Sequence, residues 1–87
     1  MNVSNIVWHD AALEQYHYWV ENDPSKVEKI KSIISSCKID PFKGIGKPEP
    51  LKGSLSGYWS RRINKEHRFV YSFSGETLTI IQCRFHY

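Results

Sequence analysis

Long apolar runs are missing from this chain of 87 residues. A helix that crosses a bilayer needs roughly 20 predominantly apolar residues, and no stretch approaches that, so no membrane partner is expected. The opening MNVSNIVWHD has neither the basic segment nor the apolar segment of a secretory signal. Residence in the cytoplasm is therefore the expectation. Cysteine is scarce: Cys37 and Cys83 are the two thiols, far apart and without an export signal, which reads as reduced, partly buried side chains rather than a disulfide. Cys83-x-x-His86 has the spacing of a metal-ligand pair, but a second pair at comparable spacing is lacking. No metal and no cofactor are expected. The loop Lys43-Gly-Ile-Gly-Lys47 lacks the GxxxxGK[ST] pattern and follows no strand, which argues against a nucleotide-binding loop. Its glycines read instead as a flexible lead into Pro48-Glu49-Pro50.

What the chain does have is enough apolar content, 40%, for one core and no more. Residues 1–87 are read as a single domain. The formal net charge is a modest +3, but it is unevenly spread. Between Lys43 and Arg68 seven Lys/Arg stand against two Glu, whereas residues 1–42 carry four Lys and six Asp/Glu. A positive field concentrated in mid-sequence fits a polyanionic partner. Tyr58, Trp59, Phe69 and Tyr71 are interleaved with those cations, which favours nucleic acid over a merely solvated basic surface.

Taken in order, Asn2 to Trp8 reads as a first strand. Asp10 is a plausible N-cap for a helix carrying Leu13, Tyr16, Tyr18, Trp19 and Val20. Those aromatics could form a stacking platform, but packing against the core, a second helix or a partner is the better reading. The helix should stop near Asn22–Asp23–Pro24, where Pro24 opens a second one. In that second helix Val27, Ile30, Ile33, Ile34 and Cys37 recur at three- and four-residue steps, one buried stripe. Asp40–Pro41 ends it. Strands come next at Tyr58–Ile63, His67–Phe73 and Thr77–Cys83, turned by Asn64–Glu66 and by Ser74–Gly75. The order β-α-α-β-β-β requires two N-terminal helices on one face of a mostly antiparallel sheet, an α+β fold. Pairing Phe73 with Thr77 sets Arg68 opposite Gln82, and His86 then reaches Arg68 only if the last residues curl back.

Glu49 is the odd member of the basic stretch. It sits between Pro48 and Pro50, each of which fixes its own φ and biases its predecessor toward extended backbone. Around this stiffened carboxylate gather Lys47, Lys52, Arg61, Arg62, Lys65 and Arg68. That pattern suits a phosphate site in which Glu49 does something other than bind. Arg68 has an alternative use, an ion pair with Glu66 or Glu76. His67 points the other way by strand alternation and reads as structural. His9 and His17 carry no signal.

KPEPL (47–51), LSGYWSRRI (55–63), EHRFVY (66–71) and the final HY (86–87) resemble the signatures of the YoeB toxins, members of the RelE/ParE toxin–antitoxin superfamily. The resemblance extends over the whole chain and implies a RelE-like microbial RNase fold. It further implies a ribosome-dependent mRNA interferase, which cuts mRNA in the ribosomal A site and halts translation. The implied partners are the ribosome, mRNA and a YefM-type antitoxin, with operator DNA contacted only through the antitoxin complex. A homodimer is a further candidate assembly. By motif position the resemblance assigns Glu49 as general base, Arg68 as the phosphate-stabilising arginine and His86 as general acid. Lys52, Arg62 and Tyr87 match supporting residues.

The chemistry agrees with those residue types. Metal-independent RNA cleavage needs a base for the 2′-OH, charge stabilisation at phosphorus and an acid for the 5′-oxygen. Each well-placed proton transfer contributes on the order of 10²–10⁴ in rate, and cations aimed at the developing charge add to it. Imidazole exchanges protons near neutrality, although a histidine beside a chain end, taken alone, reads as an exposed tail. Two other readings compete: a non-catalytic toxin of the ParE type, and a simple basic nucleic-acid-binding module.

Overall fold

In the computed structural model, which describes residues 2–86, a five-stranded mixed sheet carries two helices on one face. The elements are β1 (Asn5–Trp8), α1 (Asp10–Asn22), α2 (Pro24–Ile39), β2 (Glu49–Pro50), β3 (Trp59–Arg62), β4 (Arg68–Ser74) and β5 (Thr77–Gln82), with a single 3₁₀ turn at Gly53–Leu55. The strand order is β1-β5-β4-β3-β2. All neighbours pair antiparallel except β1, which joins β5 in parallel at one edge.

Local chemistry accounts for the helix ends. Asp23 closes α1 and opens α2: its Oδ1 accepts from the Ser25 amide at 3.2 Å and the Ser25 hydroxyl at 2.6 Å. Pro24 takes the first helical position, where an amide proton has no intrahelical partner to lose. At the other helix start the expectation shifts by one residue. His9 is the N-cap of α1 and Asp10 is its first helical residue, placing the carboxylate in the first turn, where the helix dipole favours it. The first strand is also shorter than expected, beginning at Asn5 rather than Asn2.

The core lies between the helices and one face of the sheet. Ala12 and Trp19 from α1 and Val27, Ile30, Ile33 and Cys37 from α2 meet Phe69, Tyr71, Leu78 and Ile80 from the central strands. Burying a large apolar side chain contributes about 1.5–3 kcal/mol, so this cluster is the main source of stability. Both cysteines are free and fully buried. Burial pushes the Cys37 thiol up to about 11 and the Cys83 thiol up to about 12. No helix among the described residues is long and apolar enough to cross a membrane.

The β4–β5 register differs from the sequence expectation. Ser74 pairs with Thr77, leaving Gly75 and Glu76 as a two-residue turn with Gly75 at φ +62°. Loop length sets hairpin register, so Phe73 faces Leu78 rather than Thr77. A bulge between Val70 and Tyr71 then moves Gln82 opposite Val70. Arg68 therefore lies beyond the paired end of β5, where the chain after Gln82 can meet it.

Candidate active site

The sheet face turned away from the helices collects three of the candidate site residues. Glu49 pairs with Ser60 across β2–β3, Ser60 pairs with Val70 across β3–β4, and Arg62 pairs with Arg68. Cross-strand partners share a face, and residues two apart on a strand share it too. Glu49, Arg62 and Arg68 thus stand on one side, together with buried Ser60 and Val70. The intervening Arg61, Phe69 and Tyr71 point into the core.

Pro48-Glu49-Pro50 is extended as expected, and it also pairs. Glu49–Pro50 forms the short edge strand β2. Proline is tolerated there because an edge strand leaves one backbone side unpaired. The lead-in is not the flexible loop expected from its glycines. Gly46 has φ +82°, and a Cβ built there would lie 3.0 Å from Arg61 Cβ and 3.1 Å from the Arg62 carbonyl. Its glycine serves a left-handed turn and a close backbone approach, and its carbonyl accepts from the Arg62 amide at 2.6 Å.

Arg61 is the largest correction at this site. Expected among the phosphate-facing cations, it is instead 0% exposed. Its Nε donates to Tyr71 Oη at 3.0 Å, and one terminal nitrogen donates to Ser36 Oγ at 2.8 Å and Ile45 O at 3.1 Å. The other donates to Asp40 O at 2.8 Å and Lys43 O at 3.0 Å. All five guanidinium N–H groups are used. Tyr71 completes the set by donating to Pro41 O at 2.6 Å, and burial pushes its phenol up to about 12. The aromatics Phe69 and Tyr71 are likewise core residues rather than base-stacking ones, and Trp59 packs on Phe42 with ring centroids 4.8 Å apart.

Arg68 makes neither of the ion pairs considered for it. Its Nη1 donates to the carbonyls of Asn64 at 2.9 Å, Lys65 at 3.2 Å and His67 at 3.2 Å, while Glu76 is engaged by Ser4 and Asn2. Three carbonyls on one nitrogen hold the guanidinium in a fixed orientation. The turn that supplies them is itself ordered by Asn64, whose Oδ1 accepts from the amides of Glu66 and His67, each at 2.8 Å. Lys52 is exposed at the start of the 3₁₀ turn, and Arg62 and His86 are exposed as well. Tyr87 lies outside the described residues.

The end of the chain does curl back. Trp19 Nε1 donates to Cys83 O at 2.8 Å, and Gln15 Oε1 accepts from the Cys83 amide at 2.8 Å. The Arg84 guanidinium lies 3.4 Å over the Tyr18 ring and 4.4 Å over the Phe85 ring. Phe85 turns at φ +68°, and its carbonyl accepts from the Arg68 amide at 3.0 Å. Its own amide donates to His67 Nδ1 at 2.8 Å. The residue before His86 is thus fastened to the backbone of Arg68. Sequence reasoning sets His67 aside as structural; its side chain does turn from the Arg68 face and meets Trp19 edge-on at 4.8 Å. Among the described residues no group of three or more His, Cys, Asp or Glu is placed to hold a metal.

An α+β domain of this order, with its helices on one face and charged residues on the other, has the fold of a class of small bacterial toxins. A YoeB/ParE toxin from Agrobacterium tumefaciens superposes with a TM-score of 0.93 at 53% identity, covering 95% of this chain and 99% of that one. A YoeB chain from Staphylococcus aureus, solved as a dimer, superposes at 0.91 with 42% identity over the whole of both chains. A YoeB chain from Staphylococcus aureus in a heterotetrameric YoeB–YefM toxin–antitoxin complex superposes with a TM-score of 0.90 at 42% identity over the whole of both chains. This chain belongs to the YoeB-like toxins of bacterial type II toxin–antitoxin systems, whose family model matches residues 8–87. Toxin YoeB of Escherichia coli O6:H1 is 49% identical over 82 residues, which are 94% of this chain and 98% of that one.

Proposed function

We propose that this toxin is a metal-independent, ribosome-dependent endoribonuclease that cuts mRNA in the A site and so inhibits translation. The observation that carries the reading is the shared sheet face. Glu49 and Arg68 stand on it, and the tail preceding His86 is fastened to the Arg68 backbone. In the proposed reaction Glu49 takes the proton from the ribose 2′-OH, and that oxygen attacks the adjacent phosphorus. Arg68, held rigid by its carbonyl contacts, faces the charge that develops on the phosphoryl oxygens. Fixed cations need little reorganisation as that charge grows, which is what makes them effective. His86 gives a proton to the departing 5′-oxygen. The products are a 2′,3′-cyclic phosphate, which water opens to a 3′-phosphate, and a 5′-OH. Lys52, Arg62 and Tyr87 are assigned to holding the RNA backbone.

The toxin would act in the cytoplasm and be neutralised by a YefM-type antitoxin, the complex repressing its own operon. Support for that partner comes from the Staphylococcus aureus YoeB–YefM heterotetramer, and support for a homodimer from a Staphylococcus aureus YoeB solved as a dimer. Primer extension on a translated reporter, after induction of the parent, Glu49→Gln and His86→Ala chains, tests the reading. Expected are discrete cuts within the translated frame for the parent and losses of about 10²-fold or more for each variant. If both variants arrest growth as strongly as the parent while messages stay whole, toxicity has another source, as in a ParE-like poison or a basic binder.

A further inference from the structure

We propose that His67 is a positioning residue for the cleavage reaction: its ring clasps the tail and thereby sets where His86 stands. This role rests on the nuclease reading above. The clasp is built from two adjacent residues acting on one. His67 Nδ1 accepts from the Phe85 amide at 2.8 Å, and the Arg68 amide donates to the Phe85 carbonyl at 3.0 Å. Gln82 Nε2 reaches the same carbonyl at 3.1 Å. Both polar groups of the Phe85 backbone are therefore engaged from β4 and its lead-in, one by a side chain and one by the strand itself.

Phe85 needs such a hold. At φ +68° a non-glycine residue occupies the left-handed region, which is strained and persists only where surroundings impose it. Upstream, Trp19, Gln15 and Tyr18 of α1 secure residues 83 and 84. His67 and Arg68 act at residue 85, the last hinge before His86. Edge-on contact with Trp19 at 4.8 Å keeps the His67 ring at the required angle. Because Nδ1 accepts, the working ring is neutral, with its proton on Nε2. A displacement of about 1 Å of a reacting group can lower a rate by about 10²-fold, so loosening this hinge should be felt in turnover rather than in ribosome binding.

Asparagine can place an acceptor oxygen close to where Nδ1 lies, while leucine keeps bulk against Trp19 and offers none. The test compares His67→Leu and His67→Asn in two assays. The first is amide hydrogen exchange at Phe85 in the purified ¹⁵N-labelled toxin, which needs no ribosome. The second is cleavage of mRNA on programmed ribosomes, with kcat and KM separated. Expected for His67→Leu are loss of Phe85 protection and a kcat about 10–10²-fold lower at unchanged KM. Expected for His67→Asn is recovery of most of both. Retained Phe85 protection or parental kcat in His67→Leu overturns the proposal. So does equal loss in both variants, since that assigns His67 to packing alone. If the parent chain itself leaves ribosome-bound mRNA whole, the nuclease reading falls, while Phe85 exchange still judges the clasp.

Discussion

Arg61 and Arg62 are adjacent and chemically identical, yet the sheet sends them to opposite faces, and replacing each with methionine should separate structure from function. Arg61→Met keeps an unbranched apolar stem and removes five hydrogen bonds. Tyr71 Oη retains its bond to Pro41 O and Ser36 Oγ retains the Ile45 amide. The carbonyls of Asp40, Lys43 and Ile45 lose the guanidinium that serves them. An unsatisfied buried carbonyl costs about 1–3 kcal/mol. Residues 43 to 45 are exposed enough for water to reach, so the lower end of that range applies to each. Three such carbonyls, with the lost charge-assisted bonds to Ser36 and Tyr71, bring the total to about 3–5 kcal/mol. Arg62, exposed on the opposite face, should change stability by no more than about 0.5 kcal/mol. Urea unfolding followed by circular dichroism measures both. With a slope of about 1.5 kcal/mol per molar urea, the Arg61→Met midpoint should fall by about 2–3 M. A loss under about 1 kcal/mol, or equal losses at both positions, would refute the assignment of Arg61 as the anchor of the 40–47 loop.

Three further outcomes are expected. Gly46→Ala meets immovable backbone at Arg62 as well as an unfavourable φ, whereas Gly57→Ala at φ +97° meets no atom within 4 Å; thermal melts should show the former losing about 1–2 kcal/mol more, or roughly 5–15 °C in Tm. Because Cys37 and Cys83 are buried and pushed up to about 11 and about 12, mass spectrometry after iodoacetamide treatment at pH 8 should find both unlabelled in the folded toxin and both labelled in urea; labelling of the folded chain at the rate of a free thiol contradicts this. Burial, then Arg84, Lys26 and Arg68, hold His67 below its usual 6.5, with Glu66 opposing them. A depressed histidine favours the folded state above about 6.5 and loses that contribution as pH falls through the folded value. The stability difference between pH 7.5 and 5.5 should therefore be smaller in His67→Asn than in the parent, and an unchanged difference would count against it.

The parts of the fold that depend on periodicity were legible. The stripe of α2 from Val27 to Cys37, the proline that opens that helix and the three long strands all obey local rules. What escaped depends on contacts between distant residues. Nothing local distinguishes Arg61 from Arg62 as long as the face of β3 is unknown, and that face is set only when Trp59 pairs with Tyr71. The bulge at Val70/Tyr71 changes the register in a way alternation cannot express. Phe69 and Tyr71 resemble stacking residues because they sit beside cations in sequence, whereas a strand sends neighbours apart. Glu49 stood out physically, as a carboxylate stiffened by two prolines among cations, whereas the roles of Arg68 and His86 came from the family resemblance. The common face of Glu49, Arg62 and Arg68 became visible only with the register. Alternation correctly turns His67 away from Arg68, but its bond to Phe85 depends on a left-handed residue that no pattern announces.

The central claim is that a mid-sequence acid and a tail imidazole work on one RNA linkage through its own 2′-hydroxyl. The most direct test is single-turnover cleavage on purified ribosomes programmed with either an all-ribose message or one carrying a 2′-O-methyl group at the cut nucleotide. The all-ribose message should be cut to a 5′-OH fragment and a 2′,3′-cyclic or 3′-phosphate fragment, and the methylated one should remain whole at that position. Equal cutting of both messages at the same linkage would contradict the mechanism.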